Sequence, residues 1–461
     1  MAQGGTRRQF FSQMAGFAAL TTASTAGWSA KRRAGRRPNI LLLIADDLGY
    51  GDLGCYGCPD IRTPVIDGVA AEGVRFTNYY ANGPECTPTR AALMTGRYQH
   101  RVGGLECAIG IGNVGRYDDA VRLRARNELG LPVEETSIAR MLKSAGYAAA
   151  LCGKWHLGYE PKFFARRHGF DHFFGPLGGT AHYFHHTEPQ GDHMLYLSDK
   201  PVHRDGYLTD LITDEAIRFI KKHRNAPFFL DVSYTAPHSP YQRPGDKKDR
   251  PVPQEDWNKG TREDYAVMTE RMDKGIGAIL KALDESGVAE NTVVIFVSDN
   301  GGTDKARNAP FSGGKGGLFE GGIRVPCIVR WPGVLPAGAE SNHITITMDL
   351  TASIARIAGV LPLKRRPFDG IDILREIERK RPPRKRTLFW RARRAERTWR
   401  AVRDGSLKYI SRKDKDAFDE FLFDLERDPE ENTNLLAERQ SDVQRLKRLL
   451  ADWEEEVRHK R

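Results

Sequence analysis

Six cysteines in a chain of 461 residues are too few for a disulfide scaffold. Cys55 and Cys58 have C-x-x-C spacing, but no second pair and no histidine pair completes a zinc set, which leaves a local disulfide or two ordinary thiols. Cys107, Cys152 and Cys327 lie in or near apolar segments and read as small core residues. Beyond residue 30 no stretch is apolar enough to cross a bilayer. Internal repeats and low-complexity tracts are missing, which excludes solenoids and fibrous arrays. No acidic residue precedes Pro38, whereas Arg7, Arg8, Lys31, Arg32, Arg33, Arg36 and Arg37 all do, so much of the net charge of +11 is an N-terminal matter. The remaining composition, 40% apolar and 28% charged, suits one large α/β domain with a smaller companion, or two domains of similar size.

The first thirty residues contain "GGTRRQFFSQMAGFAALTTASTAGWSA": paired arginines, two phenylalanines, a short and weakly apolar run, then small residues suited to a signal peptidase. This resembles a twin-arginine export signal over residues 1–30. An anchor helix would need about 20 strongly apolar residues. The expected location is the bacterial periplasm or the extracellular space, with no integral membrane segment after cleavage and no nucleic-acid partner.

Further on, "PNILLLIADD" is an unbroken apolar run ending in Asp46 and Asp47, as for a buried parallel strand whose carboxyl end opens onto a site. Three segments repeat the design: "YAAALCGKWHLG" ends in Lys154 and His156, "PFFLDVSYTAPHSP" in His238, and "NTVVIFVSDNGG" in Asp299 and Asn300. Between them Tyr265, Met268, Met272, Ile276, Ile279 and Leu283 make one helical stripe, and residues 209–221 a less regular one. Strands alternating with helices predict a large, mainly parallel sheet sandwiched by helices, with ligands gathering beyond the carboxyl ends. After about residue 363 the chain turns basic and proline-rich. Short strands with Asp-Gly and Asp-Pro turns follow, then a helix with a Ser441/Gln444 capping box and a stripe of Val443, Leu446, Leu450, Trp453 and Val457, predicting a small antiparallel sheet plus helix. The expected division is therefore 38–363 for a catalytic α/β domain and 364–461 for a C-terminal α+β subdomain.

Asp46, Asp47, Asp299 and Asn300 are hard oxygen ligands without a thiolate or imidazole pair, a set for Ca²⁺ or Mg²⁺ and not for zinc. Arg90, Lys154, His156, His238 and Lys315, the last in "FSGGKGGLFEGG", add fixed cations and proton carriers. A cation surrounded by such groups describes a pocket for a tetrahedral oxyanion.

The segment Cys86-Thr87-Pro88-Thr89-Arg90, followed by Thr95-Gly96, resembles the C-x-P-x-R-x₄-T-G signature of the type I sulfatases, in the alkaline phosphatase superfamily. "NILLLIADDLGYGDLGCYG", "GKWHLG", "APHSP", "SDNGG", "GGKGGLFEGGIRVP" and "LFDLERDPEENTNL" resemble sulfatase segments in the same order, and "HGFDHFFGPLGG…HYF" looks most like arylsulfatase A-like and N-acetylgalactosamine-6-sulfatase-like members. The resemblance implies an alkaline phosphatase-like fold and a sulfatase that hydrolyses a sulfate ester to alcohol and sulfate. It implies that Cys86 is oxidised to formylglycine, whose hydrated aldehyde attacks sulfur with one hydroxyl and frees sulfate through the other. Asp46, Asp47, Asp299 and Asn300, with residue 86, would hold Ca²⁺. Arg90 would keep the hydroxyl ionised; Lys154, His238 and Lys315 would bind sulfate, with His238 or Lys315 protonating the leaving alkoxide; His156 would take the diol proton. A serine that bonds the hydrate in some members has only Thr180 as counterpart here.

A formylglycine-generating enzyme and the twin-arginine export machinery are then transient partners, with oxidation before export. Basic clusters at residues 380–386 and 391–400 suit an anionic polymer, so the expected substrate is a sulfated carbohydrate, or an aryl sulfate; His182, Tyr183, His185 and His186 line a sugar subsite or are ordinary loop residues. The alternatives are a phosphate or phosphonate monoester hydrolase of the same superfamily and a non-catalytic sulfated-glycan-binding protein.

Overall fold

The computed structural model describes residues 37–110, 115, 117–246 and 251–458, so the export segment expected over residues 1–30 lies outside the described residues. Four apolar runs form adjacent parallel strands: β1 (Asn39–Ala45), β2 (Ala148–Gly153), β3 (Phe228–Ser233) and β4 (Thr292–Ser298). Their order in a ten-stranded sheet is β4-β1-β3-β2. Beside β4 lie Cys327–Arg330, Val74–Phe76 and Ala339–Ser341; beside β2 lie His172–Pro176, Leu195–Leu197 and Lys200–Pro201. The antiparallel pairings are Cys327–Arg330 with β4 and with Val74–Phe76, and the two pairings beyond His172–Pro176, so the centre of the sheet is parallel as expected.

Because successive strand residues face opposite ways, β1 serves two cores. Ile40, Leu42 and Ile44 join one apolar cluster, and Leu41, Leu43 and Ala45 the other. The first is covered by α1 (Cys86–Thr95) through Ala91, Leu93 and Met94, and by α3 (Thr347–Ala358) through Leu350 and Ile354. The second is covered by α2 (Arg262–Glu285), whose six stripe residues Tyr265 to Leu283 are all buried as the spacing predicts. Thr261 and Asp264 close a capping box at the start of α2.

The C-terminal sheet runs sequentially through Thr387–Arg394, Arg397–Asp404, Leu407–Asp414 and Ala417–Asp424, all antiparallel, with α4 (Gln440–Glu456) packed on it. Two expectations are corrected. The Asp-Gly turn at Asp404-Gly405 does join strands, but Asp428-Pro429 follows the last strand and joins none. Helix α4 begins at Gln440, one residue before Ser441, and its N-cap, Arg439, makes no side-chain capping bond; the stripe decides where the helix docks, and that packing outweighs the Ser441/Gln444 signal. Cys55 and Cys58 are free thiols, and Cys107, Cys152 and Cys327 are buried as expected.

The two sheets meet over a buried ionic contact. Lys408 Nζ lies 2.7 Å from Glu320 Oε1 and 2.9 Å from Glu431 Oε1, with all three side chains sealed from solvent. Removing the ammonium leaves Glu431 without a cation among the described residues and Glu320 with Arg324 alone. Lys408→Met is expected to lower unfolding stability by about 3–5 kcal/mol, whereas Arg412→Ala, which breaks the half-exposed pair with Asp419, costs under about 1 kcal/mol; guanidinium titrations of both variants measure the difference.

Candidate functional site

The four parallel strands end together, so the polar residues that follow them converge at one edge. Asp46 follows β1 and donates its N–H to the Ala236 carbonyl at 3.1 Å, while the Asp299 N–H, after β4, donates to the Ala45 carbonyl at 3.1 Å. These bonds lace the strand exits to one another. Asp47 and His156 adopt left-handed backbone conformations, φ 65° and 56°, which turn their side chains out of the strand direction. Gly153 is needed where it stands: at φ 123°, a Cβ there would lie 1.8 Å from the Ser233 carbonyl oxygen that anchors the Lys154 N–H.

Helix α1 brings Cys86 at its first position and Arg90 one turn later, on one face. The signature's other residues have local duties. Thr87 Oγ1 donates to the His156 carbonyl at 3.1 Å, Thr89 Oγ1 bonds the Gly83 backbone, Pro88 sits in the first turn where no N–H is missed, and Gly96 ends the helix at φ 68°.

The side chains interlock. Cys86 Sγ donates to Asp46 Oδ1 at 3.3 Å, and Lys154 Nζ lies 2.6 Å from Asp46 Oδ2. Lys315 Nζ lies 2.7 Å from Asp47 Oδ2 and 3.9 Å from Cys86 Sγ. Asn300 Nδ2 donates to Asp47 Oδ1 at 2.7 Å; Asp299 Oδ1 accepts the Asp47 N–H at 3.3 Å, and its Oδ2 accepts Arg90 Nε–H at 3.0 Å. His238 Nδ1 donates to the Ser239 carbonyl and leaves Nε2 3.5 Å from Asp47 Oδ2. His156 Nε2 donates to the Ile109 carbonyl, which fixes its tautomer, and Nδ1 has no partner among the described residues. All ten residues expected at the site are thus brought together. Ligand atoms of Asp46, Asp47, Cys86 and His238 lie within 4.8 Å of one another, so His238 joins the acids as a neighbour of any ion held there.

Burial and contact set the charges. Burial disfavours the Asp47 carboxylate, but Lys315, His238 and Lys154 outweigh it and hold the group below the usual carboxylate range. Burial, with Asp46 close by, pushes Asp299 up to about 6. Burial and Lys315 push the His238 imidazole down to about 3, and burial and Lys154 hold His156 well below its ordinary value, so both are neutral bases. Burial, reinforced by Asp46, raises the Cys86 thiol well above the ordinary cysteine value.

A cavity of about 260 Å³ opens above Cys86, His156, His238 and Lys315, walled by Ile109, Tyr159, Gly179, Thr180, Glu188 and Gln190. Tyr159 and Glu188 carried no recognisable signal in the sequence. Thr180 lies in the wall, but its hydroxyl donates to the Ser239 carbonyl at 2.6 Å. Of the two readings of His182, Tyr183, His185 and His186, the structure favours ordinary loop residues, since none of them is among the cavity's walls. His182 Nε2 accepts the Val252 N–H, Tyr183 donates to the His238 carbonyl, and His186 bonds the Gly206 carbonyl, so these side chains hold loops in place. A broader trough of about 870 Å³, lined by Arg262, Lys305 and Arg307 among others, shares Lys315 with the cavity.

The basic clusters are in part paired. Arg381 and Arg384 pair with Glu376, Lys385 with Asp404, and Arg386 with Asp349. Arg391 and Arg393 converge on Glu106, Arg394 on Glu85, Arg397 on Asp414 and Arg400 on Glu454. Many of these charges are thus matched by acids distant in sequence, while Arg384 and Lys385 stay 68% exposed and Lys380 has no ion pair among the described residues.

Buried, balanced charge around one reactive side chain, open to a small cavity, belongs to the enzymes that act on esters of strong oxyanions. The chain belongs to the sulfatase family, the sulfuric ester hydrolases: the family model "Sulfatase" matches residues 38–360, and "N-sulphoglucosamine sulphohydrolase, C-terminal" matches residues 314–459. It is 36% identical to N-acetylgalactosamine-6-sulfatase of Canis lupus familiaris over 378 residues, 78% of this chain and 69% of that one, and 32% identical to steryl-sulfatase of Homo sapiens over 436 residues, 77% and 72%. The crystal structure of Ps i-CgsB in complex with k-i-k-neocarrahexaose superposes with a TM-score of 0.78 at 31% identity, covering 91% of this chain and 93% of that one.

Gly179 leaves room for the His156 ring: a Cβ there would meet Cε1 and Nε2 at 2.5 Å. Gly179→Ala is expected to displace the imidazole and lower turnover of 4-nitrophenyl sulfate at least about tenfold, with an overpacking cost of about 1–3 kcal/mol. Gly68→Ala, which meets nothing within 4 Å, serves as the control and leaves turnover unchanged.

Proposed function

We propose that the protein hydrolyses a sulfate monoester of a carbohydrate, using a formylglycine made from Cys86 and a Ca²⁺ ion held by Asp46, Asp47, Asp299, Asn300 and residue 86. The observation that carries this reading is the place of Cys86 at the cavity floor, 3.3 Å from an Asp46 oxygen and 3.9 Å from the Lys315 ammonium. The residues fit a hard cation: besides the three acids, Asn300 Oδ1 is buried without a hydrogen-bond donor among the described residues, an acceptor that an ion would satisfy. Three carboxylates cancel the three cations Arg90, Lys154 and Lys315, and a divalent ion supplies, when bound, the extra positive charge that a sulfuryl transition state requires.

In this reading the formyl side chain supplies a releasable hydroxyl nucleophile, which the raised, protonated thiol of Cys86 does not. Lys154 and Lys315 hold sulfate oxygens, and Arg90, fixed on Asp299, keeps positive charge beneath residue 86. Lys315, an ammonium in the cavity, carries the proton for the leaving alcohol, and neutral His238, tethered through Nδ1, presents Nε2 as an acceptor beside it. His156, tethered through Nε2, offers Nδ1 to take a proton at residue 86. Residues 38–363 carry this chemistry and 364–461 brace it. The trough beyond Lys315 provides room for neighbouring sugars. The Arg7-Arg8 segment supports export by the twin-arginine route after oxidation of Cys86, to the periplasm or beyond.

Mass spectrometry of the peptide containing residue 86, run on active enzyme, tests the reading: formylglycine is expected, and fully unmodified cysteine in active enzyme overturns it. Hydrolysis of 4-nitrophenyl sulfate is expected to exceed that of 4-nitrophenyl phosphate, and Cys86→Ala to abolish both. Removing Ca²⁺ with EGTA is expected to stop turnover and readdition to restore it, with Asn300→Ala raising the Ca²⁺ concentration needed by at least about tenfold. Undiminished activity of the chelated enzyme rejects the metal assignment.

A further inference from the structure

Glu188 is a carboxyl in the cavity wall for which the chemistry above has no use. It is 6% exposed, yet no cation pairs with it among the described residues. One oxygen, Oε1, accepts the Tyr159 hydroxyl at 2.9 Å, and the Gly179 N–H also favours the charged carboxyl. The site is built to hold this group. Gly178 makes room for it, since a Cβ there would lie 2.0 Å from Glu188 Oε1. Tyr159 is fixed in turn by the Gly179 N–H at 3.2 Å, and its hydroxyl lies 3.5 Å from the Ile109 carbonyl that anchors His156. The Glu188 N–H and carbonyl are tied into a turn through Asp192 and Gly191. Burial pushes the carboxyl up to about 7, with the Tyr159 bond opposing and Asp192 adding to the rise.

Burying an acid without a cation is unfavourable unless a donor satisfies it. A neutral hydroxyl or N–H meets that need; a second sulfate or a carboxylate brings an acceptor of like charge and cannot. Lys154, Lys315 and Arg90 all stand at the Cys86 end, so the cavity is cationic at its floor and acidic in its wall. Resting on the sulfatase reading of this site, we propose that Glu188 is a specificity-determining residue: it accepts a hydrogen bond from an uncharged hydroxyl or amide N–H on the sugar that carries the scissile sulfate, and excludes a second anionic substituent at that position.

The test compares wild type, Glu188→Gln and Tyr159→Phe on three probes: 4-nitrophenyl sulfate, which offers no sugar donor; the best-hydrolysed member of a panel of monosulfated hexoses and N-acetylhexosamines; and that sugar bearing a second sulfate beside the first. For Glu188→Gln, the rise in KM on the monosulfated sugar is expected to exceed that on the aryl sulfate by about tenfold, with kcat changed far less. The wild-type preference for the monosulfated over the disulfated sugar is expected to narrow in the same variant. Tyr159→Phe, which frees the carboxyl from its tether, is expected to move both ratios the same way. Equal losses on aryl and sugar sulfates, or unchanged ratios in both variants, overturn the assignment and leave Glu188 a structural group. Hydrolysis of the aryl sulfate but of no sugar overturns it as well, while hydrolysis of no sulfate ester by wild type overturns the underlying reading first.

Discussion

The site depends on keeping three carboxylates and the cations Arg90 and Lys154 together out of water, with Lys315 closing the set from the cavity side. Asp46, Asp47 and Asp299 are 2% exposed or less and Lys154 is fully buried, so each charge is stable only while its partner is in place. Withdrawing an ion from water costs several kcal/mol, which only short, well-directed contacts offset. That demand fixes much of the backbone. The strands must be contiguous and parallel, in the order β4-β1-β3-β2, for their exits to share one edge. Asp47 and His156 must accept left-handed conformations that cost on the order of 1–3 kcal/mol each, and Gly153 must let β2 approach Ser233. A set of groups this costly to bury is of little use for stability alone, and its arrangement makes sense as a ready-made electrostatic environment for a reacting oxyanion.

The C-terminal sheet belongs to the same constraint. Arg394 pairs with Glu85, the residue before Cys86, and Glu85 also accepts the Ala108 N–H at 2.6 Å, in the cavity wall. Arg391 and Arg393 grip Glu106 nearby, and burial of that acid is outweighed by these arginines, which hold it down to about 2. Trp390 donates its indole N–H to the Ala81 carbonyl at 2.8 Å. One strand, Thr387–Arg394, therefore clamps the segments on either side of the reactive residue. Its arginines Arg391, Arg393 and Arg394 are engaged in that clamp, so this part of the basic run is matched by acids.

What was legible in the sequence was local. An apolar run stopped by Asp46 and Asp47 announces a strand end, a three-and-four stripe from Tyr265 to Leu283 announces α2, and the segment from Cys86 to Gly96 is recognisable because nearly every residue in it has a fixed backbone or side-chain duty. What was not legible depends on partners far along the chain. Arg393 meets Glu106 across 287 positions and Arg394 meets Glu85 across 309, and composition cannot tell a paired arginine from a solvated one. The loop that carries Glu188 has no periodicity to place it, so its histidines drew attention while the acid facing the cavity did not. The Ser441/Gln444 signal at α4 was overridden by packing of Val443, Leu446 and Leu450 against the sheet.

The polarity of the cavity follows from these contacts. Cys86 opens α1, whose first N–H groups and positive dipole end point toward the floor, and Glu85 makes no side-chain cap that would cancel them. Lys154 and Lys315 add to that field from neighbouring loops, while Glu188 stands in the wall with no paired cation among the described residues. A ligand with an anionic group at one end and neutral donors on its body has a single favourable orientation in such a gradient, anion inward. At about 260 Å³ the cavity is below the ~300–1,000 Å³ usual for drug-sized ligands, and the trough that shares Lys315 opens beside it. Orientation is thus settled by the buried charges before any contact with the rest of the substrate is made.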